Sequence, residues 1–273
     1  MNKIIVKPNK KEDINELVKI DVDGLILPLK GLSVGSSFFL SLEDIIDLEI
    51  GVEKIVLINK IMHNSDLEYL KDVLIKLDKS DVKKIIFYDL SVYILSKELN
   101  ISNIELVIGQ EHLNRSINSN SFYNDLGINY SYISSDITID EIKEIKDNTN
   151  MKLFYTVYGR IPLFCSRRYL VTNYFDYINK DKKKNNYYIQ NKDDKLYISE
   201  EDNATLIYSD VVNLINKVNE LDFIDYLVLD FNSLKEYKEV INSFINKIMD
   251  GKEHYLGFYN TKTIYKVKKW KVI

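Results

Sequence analysis

A single cysteine in 273 residues rules out a disulfide within the chain and any metal or iron–sulfur centre built from several of its own thiols. The lone thiol suits a reducing compartment. Three prolines and nine glycines are too few for a flexible linker, and no glycine-rich phosphate loop is present. No apolar run reaches membrane-spanning length, and the N-terminal MNKIIVKPNKKED has no apolar signal core. A cytoplasmic protein with no membrane partner is expected. Neither sign of charge dominates: the formal net charge is −4, so no global field draws the chain to nucleic acid or anionic lipid. His63 and His112 are not at ligand spacing, which argues against a metal site.

What is present is a rhythm. The chain is 45% hydrophobic and 29% charged, enough to bury a large core. Short β-rich runs alternate with helical patterns: IIVK (4–7), DGLILPL (23–29), KIVLIN (54–59), KIIFYD (84–89), IELVIG (104–109), YSYIS (130–134), KLFYTVY (152–158), ATLIYS (204–209) and IDYLVLDF (224–231). Ser41 with Asp44, Ser65 with Glu68, Thr138 with Glu141 and Ser233 with Glu236 stand at helix-starting spacings, and Gly251 at a helix-ending one. Repeated βα units imply parallel strands and right-handed crossovers. The expectation is one domain over residues 1–273, an α/β fold of the (β/α)8 TIM-barrel type; an open parallel α/β sheet is the alternative. The rhythm breaks at 171–203, which has no helical period and reads as an excursion with a β-hairpin around YYIQNKDDKLYIS.

In a βα barrel, strand C-terminal ends and the loops after them form the site. The polar residues there are Asn59, His63, Asp89, Gln110, His112, Asn114, Asp136, Arg160, Arg167, Arg168 and Asp230. Asp89 and Asp230 sit where an aspartate caps the next helix, and Asn59 where it turns the chain. Arg160, Arg167 and Arg168 crowd within nine positions and repel one another unless an anion or acidic side chains lie among them. A carboxylate or phosphate ligand and pairing with neighbouring Asp or Glu are equally good readings. Cys165 stands among these arginines, whose field would favour a thiolate, although free cysteines are usually inert packing. Two basic segments, Lys180 with Lys182–Lys184 and the lysines around Trp270, lie beside aromatic residues; they suit phosphate contact and base stacking, or are solvated charge runs.

Several phrases, in this order, carry a family resemblance: DGLILPLKGLSVGSSFFLSLEDI, IVLINKIMHNSDLEYL, IIFYDLSVYIL, SFYNDLGINYSYISSDITIDEI, YGRIPLFCSRRYL and LGFYNTKTIY. Together they resemble the U32 peptidase family, also called collagenase-like proteases. The resemblance implies a barrel and one of several activities: proteolysis, or oxygen-independent hydroxylation of tRNA wobble uridine, ribosomal RNA or a quinone precursor. Many hydroxylating members hold an iron–sulfur cluster on four cysteines. Here the first of those positions falls on Tyr169, and Cys165 falls on a non-ligand position, so a cluster within this chain is excluded. Where the family often has Arg-Glu, this chain has Ser135-Asp136. The resemblance therefore implies a cluster-less paralogue or subunit in tRNA hydroxylation, beside a cluster-bearing U32 paralogue. Asn59, His63, Asp89, His112, Asn114, Arg160, Arg167 and Arg168 would bind tRNA or an anionic small molecule. A peptidase and a non-catalytic scaffold are the alternatives; neither a nucleophile with its base nor a metal-ligand set is visible, so no catalytic residue is assigned.

Overall fold

The computed structural model describes residues 2–109, 114–191, 194–201, 204–232, 234 and 237–261. Eight parallel strands close into a ring: β1 (Lys3–Lys7), β2 (Gly24–Pro28), β3 (Glu53–Ile58), β4 (Lys84–Phe87), β5 (Glu105–Ile108), β6 (Tyr130–Tyr132), the first half of β7 (Lys152–Ser166) and β11 (Tyr226–Asp230). Closure comes from two parallel pairings of the last strand, with β1 (Lys7 opposite Asp230) and with β7 (Tyr226 opposite Phe154). The fold is thus a TIM-barrel-like α/β barrel, and the open sheet is excluded. Among the described residues no helix is long and apolar enough to cross a membrane.

The crossovers carry helices α1 (Ile14–Leu17), α2 (Leu42–Ile46), α3 (Leu67–Asp78), α4 (Leu90–Glu98), α5 (Ile117–Asp125) and α6 (Ile139–Asn148). Ser41 with Asp44 and Thr138 with Glu141 form the expected reciprocal caps. The start of α3 differs. Residues 64–66 form a 3-10 turn, and the Asp66 carboxylate accepts the His63 N–H at 2.9 Å, so the cap lies two residues earlier than Ser65 and Glu68. Helix α8 (Lys238–Ile245) ends well before Gly251; Lys247, at φ +51°, takes the left-handed position. The proposed Ser233–Glu236 cap lies outside the described residues.

Two apolar layers hold the barrel. Outside, strand residues such as Val6, Leu25, Val56 and Leu229 pack against Leu70, Leu74, Ile142 and Ile241 of the helices. Inside, Ile5, Ile26, Ile55, Ile86, Val107, Phe154 and Val228 form a second cluster. Each such side chain, once fully buried, is worth about 1.5–3 kcal/mol. The strand N-termini are plugged. Lys84, 4% exposed, pairs with Glu53 and with Glu105 (3.0 Å), and lies 4.8 Å from the centre of the Tyr130 ring. Tyr226 stacks on Phe154 at 4.0 Å, and the Tyr130 hydroxyl donates to Glu105 at 2.8 Å.

The break in the rhythm is an antiparallel extension of the same sheet beyond β7. At Gly159 the chain leaves the barrel with φ +130°; an added Cβ there would stand 2.5 Å from the Asp230 carbonyl oxygen, so only glycine fits. Strand β7 continues to Ser166 and pairs antiparallel with β10 (Ala204–Asn213). Beyond β10 lie β9 (Asp194–Glu201) and the edge strand β8 (Asn186–Asn191). The expected hairpin is therefore present. One expectation is corrected: ATLIYS belongs to β10 of this extension rather than to a barrel strand, and β10 runs on through Asn213. The excursion also contains a helix, α7 (Leu170–Tyr177).

Candidate functional site

A cavity of about 340 Å³ opens at the C-terminal mouth of the barrel, between the strand ends and the extension. Its lining includes Lys7, Asn59, Tyr88, Tyr132, Cys165, Arg167, Tyr208 and Asp230. This is the end at which βα barrels act. Lys7 and Asp230 close β1 and β11 at the same level, which brings their charges together at 3.1 Å. Lys7 is only 8% exposed. A buried ammonium keeps its charge only where a counter-charge and acceptors surround it, and here Asp230 and the Gly35 carbonyl do so.

That carbonyl is a convergence point. It accepts from Lys7 Nζ (3.3 Å), Tyr208 Oη (3.3 Å) and Asn232 Nδ2 (2.9 Å). Gly35 has φ +69°, and a Cβ there would meet Leu206 of the extension at 2.7 Å. The loop after β2 is therefore pinned between barrel and extension. Asn59 fixes the preceding residue, accepting from Val34 N–H at 2.8 Å and donating to Val34 O at 3.0 Å.

The arrangement suits a compact, ring-bearing ligand. Tyr88, Phe164 and Leu206 supply apolar and aromatic wall, and Lys7 supplies a cation for a negative or hydrogen-bond-accepting group. Tyr88, Tyr132 and Tyr208 border the same space, and the Tyr132 hydroxyl is 2.7 Å from Thr156 Oγ1.

The residues expected from strand ends separate into groups. Asn59 and Arg167 line the cavity; Arg167 stands at its rim and donates to Ile61 O at 3.3 Å. Arg160 turns to the extension, where it lies 4.8 Å from the Tyr197 ring centre, 3.8 Å from the Asp210 carboxylate and 3.3 Å from Tyr188 Oη. Arg168 is exposed, its carbonyl accepting from the Thr205 hydroxyl. His63 is exposed, outside the cavity lining. Asp89 caps α4 through the Ser91 N–H and also accepts from the Met62 N–H at 2.9 Å. Asn114 is fully buried and donates to the Tyr132 carbonyl at 3.2 Å. Gln110 and His112 lie outside the described residues, as does the basic tail around Trp270. Asp136 pairs with Arg115 at 3.0 Å, so a base reaches this acid from the loop after β5.

Lys7, Tyr88 and Tyr132 were not anticipated. Their signal is the alternation itself: Lys3, Ile5 and Lys7 share one face of β1. Only closure of the ring shows that this face points inward.

A four-cysteine cluster does not fit this chain. The position expected for its first ligand is Tyr169, at the start of α7, and there is one cysteine in all. Among the described residues no group of three or more His, Cys, Asp or Glu side chains is placed to hold a metal ion.

Comparison with known proteins bears on the same region. The sequence pattern of peptidase family U32 matches residues 40–246. The chain is 27% identical over 234 residues to the Bacillus subtilis (strain 168) protein named tRNA hydroxylation protein P2, covering 80% of this chain and 75% of that one. Among solved structures it is similar to the U32 peptidase Mk0906, with a TM-score of 0.56 and 15% identity, over 84% of this chain and 92% of the other.

Proposed function

The chain belongs to peptidase family U32, and on that premise we propose that it is a component of a cytoplasmic tRNA-hydroxylating system, working beside a cluster-bearing member of the same family. The observation that carries this reading is the likeness, across 80% of the chain, to a protein named for tRNA hydroxylation. The barrel mouth is its ligand site. Lys7, backed by Asp230, meets the anionic or accepting group of a compact ligand, and Tyr88 and Phe164 flank its ring. With one cysteine, the chain leaves any four-cysteine iron–sulfur chemistry to its partner, and no step here runs through such a cluster.

Nucleoside mass spectrometry of total tRNA tests the reading. Deletion of the gene is expected to abolish a hydroxylated uridine, and the wild-type chain to restore it. Unchanged nucleosides in the deletion strain would remove the tRNA role. One observation favours a peptidase instead: Cys165 lies at the cavity beside Arg167. Among the described residues no histidine lines that cavity to serve as its base. Peptide cleavage abolished by Cys165→Ala would make the peptidase the better account.

A further inference from the structure

The extension carries a second surface, separate from the barrel mouth. After α7 the chain places four lysines against one aspartate in five residues, 180–184, within a protein of net charge −4. This loop is built rather than loose. The Glu200 carboxylate, almost wholly buried, accepts from the backbone N–H groups of Val171 (2.8 Å) and Thr172 (3.1 Å) at the start of α7, and pairs with Lys182 at 2.8 Å. Tyr187 Oη accepts the N–H groups of Lys183 (3.2 Å) and Lys184 (3.1 Å). With Lys182 tied inward, Lys180, Lys183 and Lys184 remain exposed, and none of the three is in an ion pair among the described residues.

These lysines rim a groove of about 720 Å³ whose lining includes Phe175, Tyr187 and Tyr188. The rings of Phe175 and Tyr187 are 5.1 Å apart, and Tyr177, at the end of α7, is 85% exposed. Three unpaired cations along a groove backed by the packed Phe175–Tyr187 rings match a chain of phosphates. A protein partner would be met by a more apolar centre with fewer lysines.

We propose that this groove binds single-stranded RNA, with Lys180, Lys183 and Lys184 on its phosphates. The inference rests on the tRNA reading above and adds the surface that holds the RNA. Charge complementarity within an acidic protein and a preorganised loop carry it.

Fluorescence anisotropy with a labelled 12-nucleotide oligouridylate and with total tRNA tests it on the full chain. Replacing all three lysines (Lys180→Glu, Lys183→Glu, Lys184→Glu) is expected to weaken binding at least tenfold and to lower the salt slope by about 2. All three side chains are exposed, and circular dichroism is expected to match the wild type. Binding unchanged by these substitutions overturns the proposal. So does a change in self-association by sedimentation with RNA binding intact, which would make the face a protein interface. The two readings fail separately. RNA binding unchanged by the lysine substitutions, in a protein whose deletion abolishes the hydroxylated uridine, removes the groove and leaves the tRNA role. A deletion without effect on tRNA nucleosides removes the role.

Discussion

The two ends of the barrel use the same residue types to opposite ends. At the strand N-termini, Lys84 is enclosed by two carboxylates and by the rings of Tyr130 and Tyr226, and its charge is neutralised where it stands. At the C-termini, Lys7 has one carboxylate and one carbonyl, and the remaining side of its surroundings is a cavity. A lysine with all its partners in the fold stabilises the fold. A lysine with a partner on one side and open volume on the other can also meet a ligand. The difference lies in how each end is covered. The N-terminal end packs its own side chains together, while the extension and the loop after β2 stand over the C-terminal end and leave space beneath.

The largest effect is expected from breaking the plug. Lys84→Ala takes the buried cation from between Glu53, which keeps Lys3 at 3.7 Å, and the exposed Glu105, and should cost about 3 kcal/mol, read as a drop in the urea midpoint. Burial pulls the Lys84 ammonium down, but its bonds to Glu53 and Glu105 outweigh this and hold its pKa above the usual lysine value. A raised lysine contributes fully below its unfolded pKa and loses that contribution as pH rises through the folded one. The plug should therefore weaken only in strongly alkaline solution.

Next comes the staple of the extension. Burial alone would raise the Glu200 pKa, but the bonds from Lys182, Thr172 and Val171 dominate and bring it to about 2 from 4.5. That shift corresponds to about 3 kcal/mol, present above pH 4.5 and lost as pH falls from there towards 2. Acid titration followed by tyrosine fluorescence should show the extension loosening in this window. Glu200→Gln should lower stability at neutral pH and flatten that acid-dependent step. The plug and the staple are thus expected to fail at opposite ends of the pH scale.

Gly35→Ala sharpens the contrast at the open end. It sets a side chain at φ +69° and against Leu206, and should cost about 1–3 kcal/mol while displacing the loop that Lys7, Tyr208 and Asn232 hold. Its signature is a loss of hydroxylation larger than the shift in melting temperature would explain. The smallest effect is expected from Cys165→Ala: less than twofold on tRNA hydroxylation, because the proposed role asks nothing of the thiol.

The barrel was legible because seven of its strands are short apolar runs followed by helical periods or capping residues, and IDYLVLDF supplied the eighth. ATLIYS misled because this antiparallel strand of the extension is buried almost throughout, as a barrel strand is; only its partners, β7 and β9, tell them apart. Helix α7 was hidden by its composition, since LVTNYFDY is rich in β-branched and aromatic residues that favour strands. At the mouth, Asn59 and Asp230 were readable as polar strand ends. Lys7, Tyr88 and Tyr132 were not, because an inward lysine or tyrosine looks like the solvent face of a strand until the ring is closed. The arginines had looked like one cluster. Gly159 starts the run out of the barrel, and Arg160 then lies on the extension while Arg167 returns to the cavity rim.

The central claim is that the C-terminal mouth, with its Lys7–Asp230 pair, is the working end of the protein. The most direct test complements the deletion strain with Lys7→Met combined with Asp230→Asn, which removes both charges and leaves neither buried alone. The account predicts that the hydroxylated uridine stays absent while the purified variant melts close to the wild type. Full restoration of that nucleoside by the double variant would contradict it.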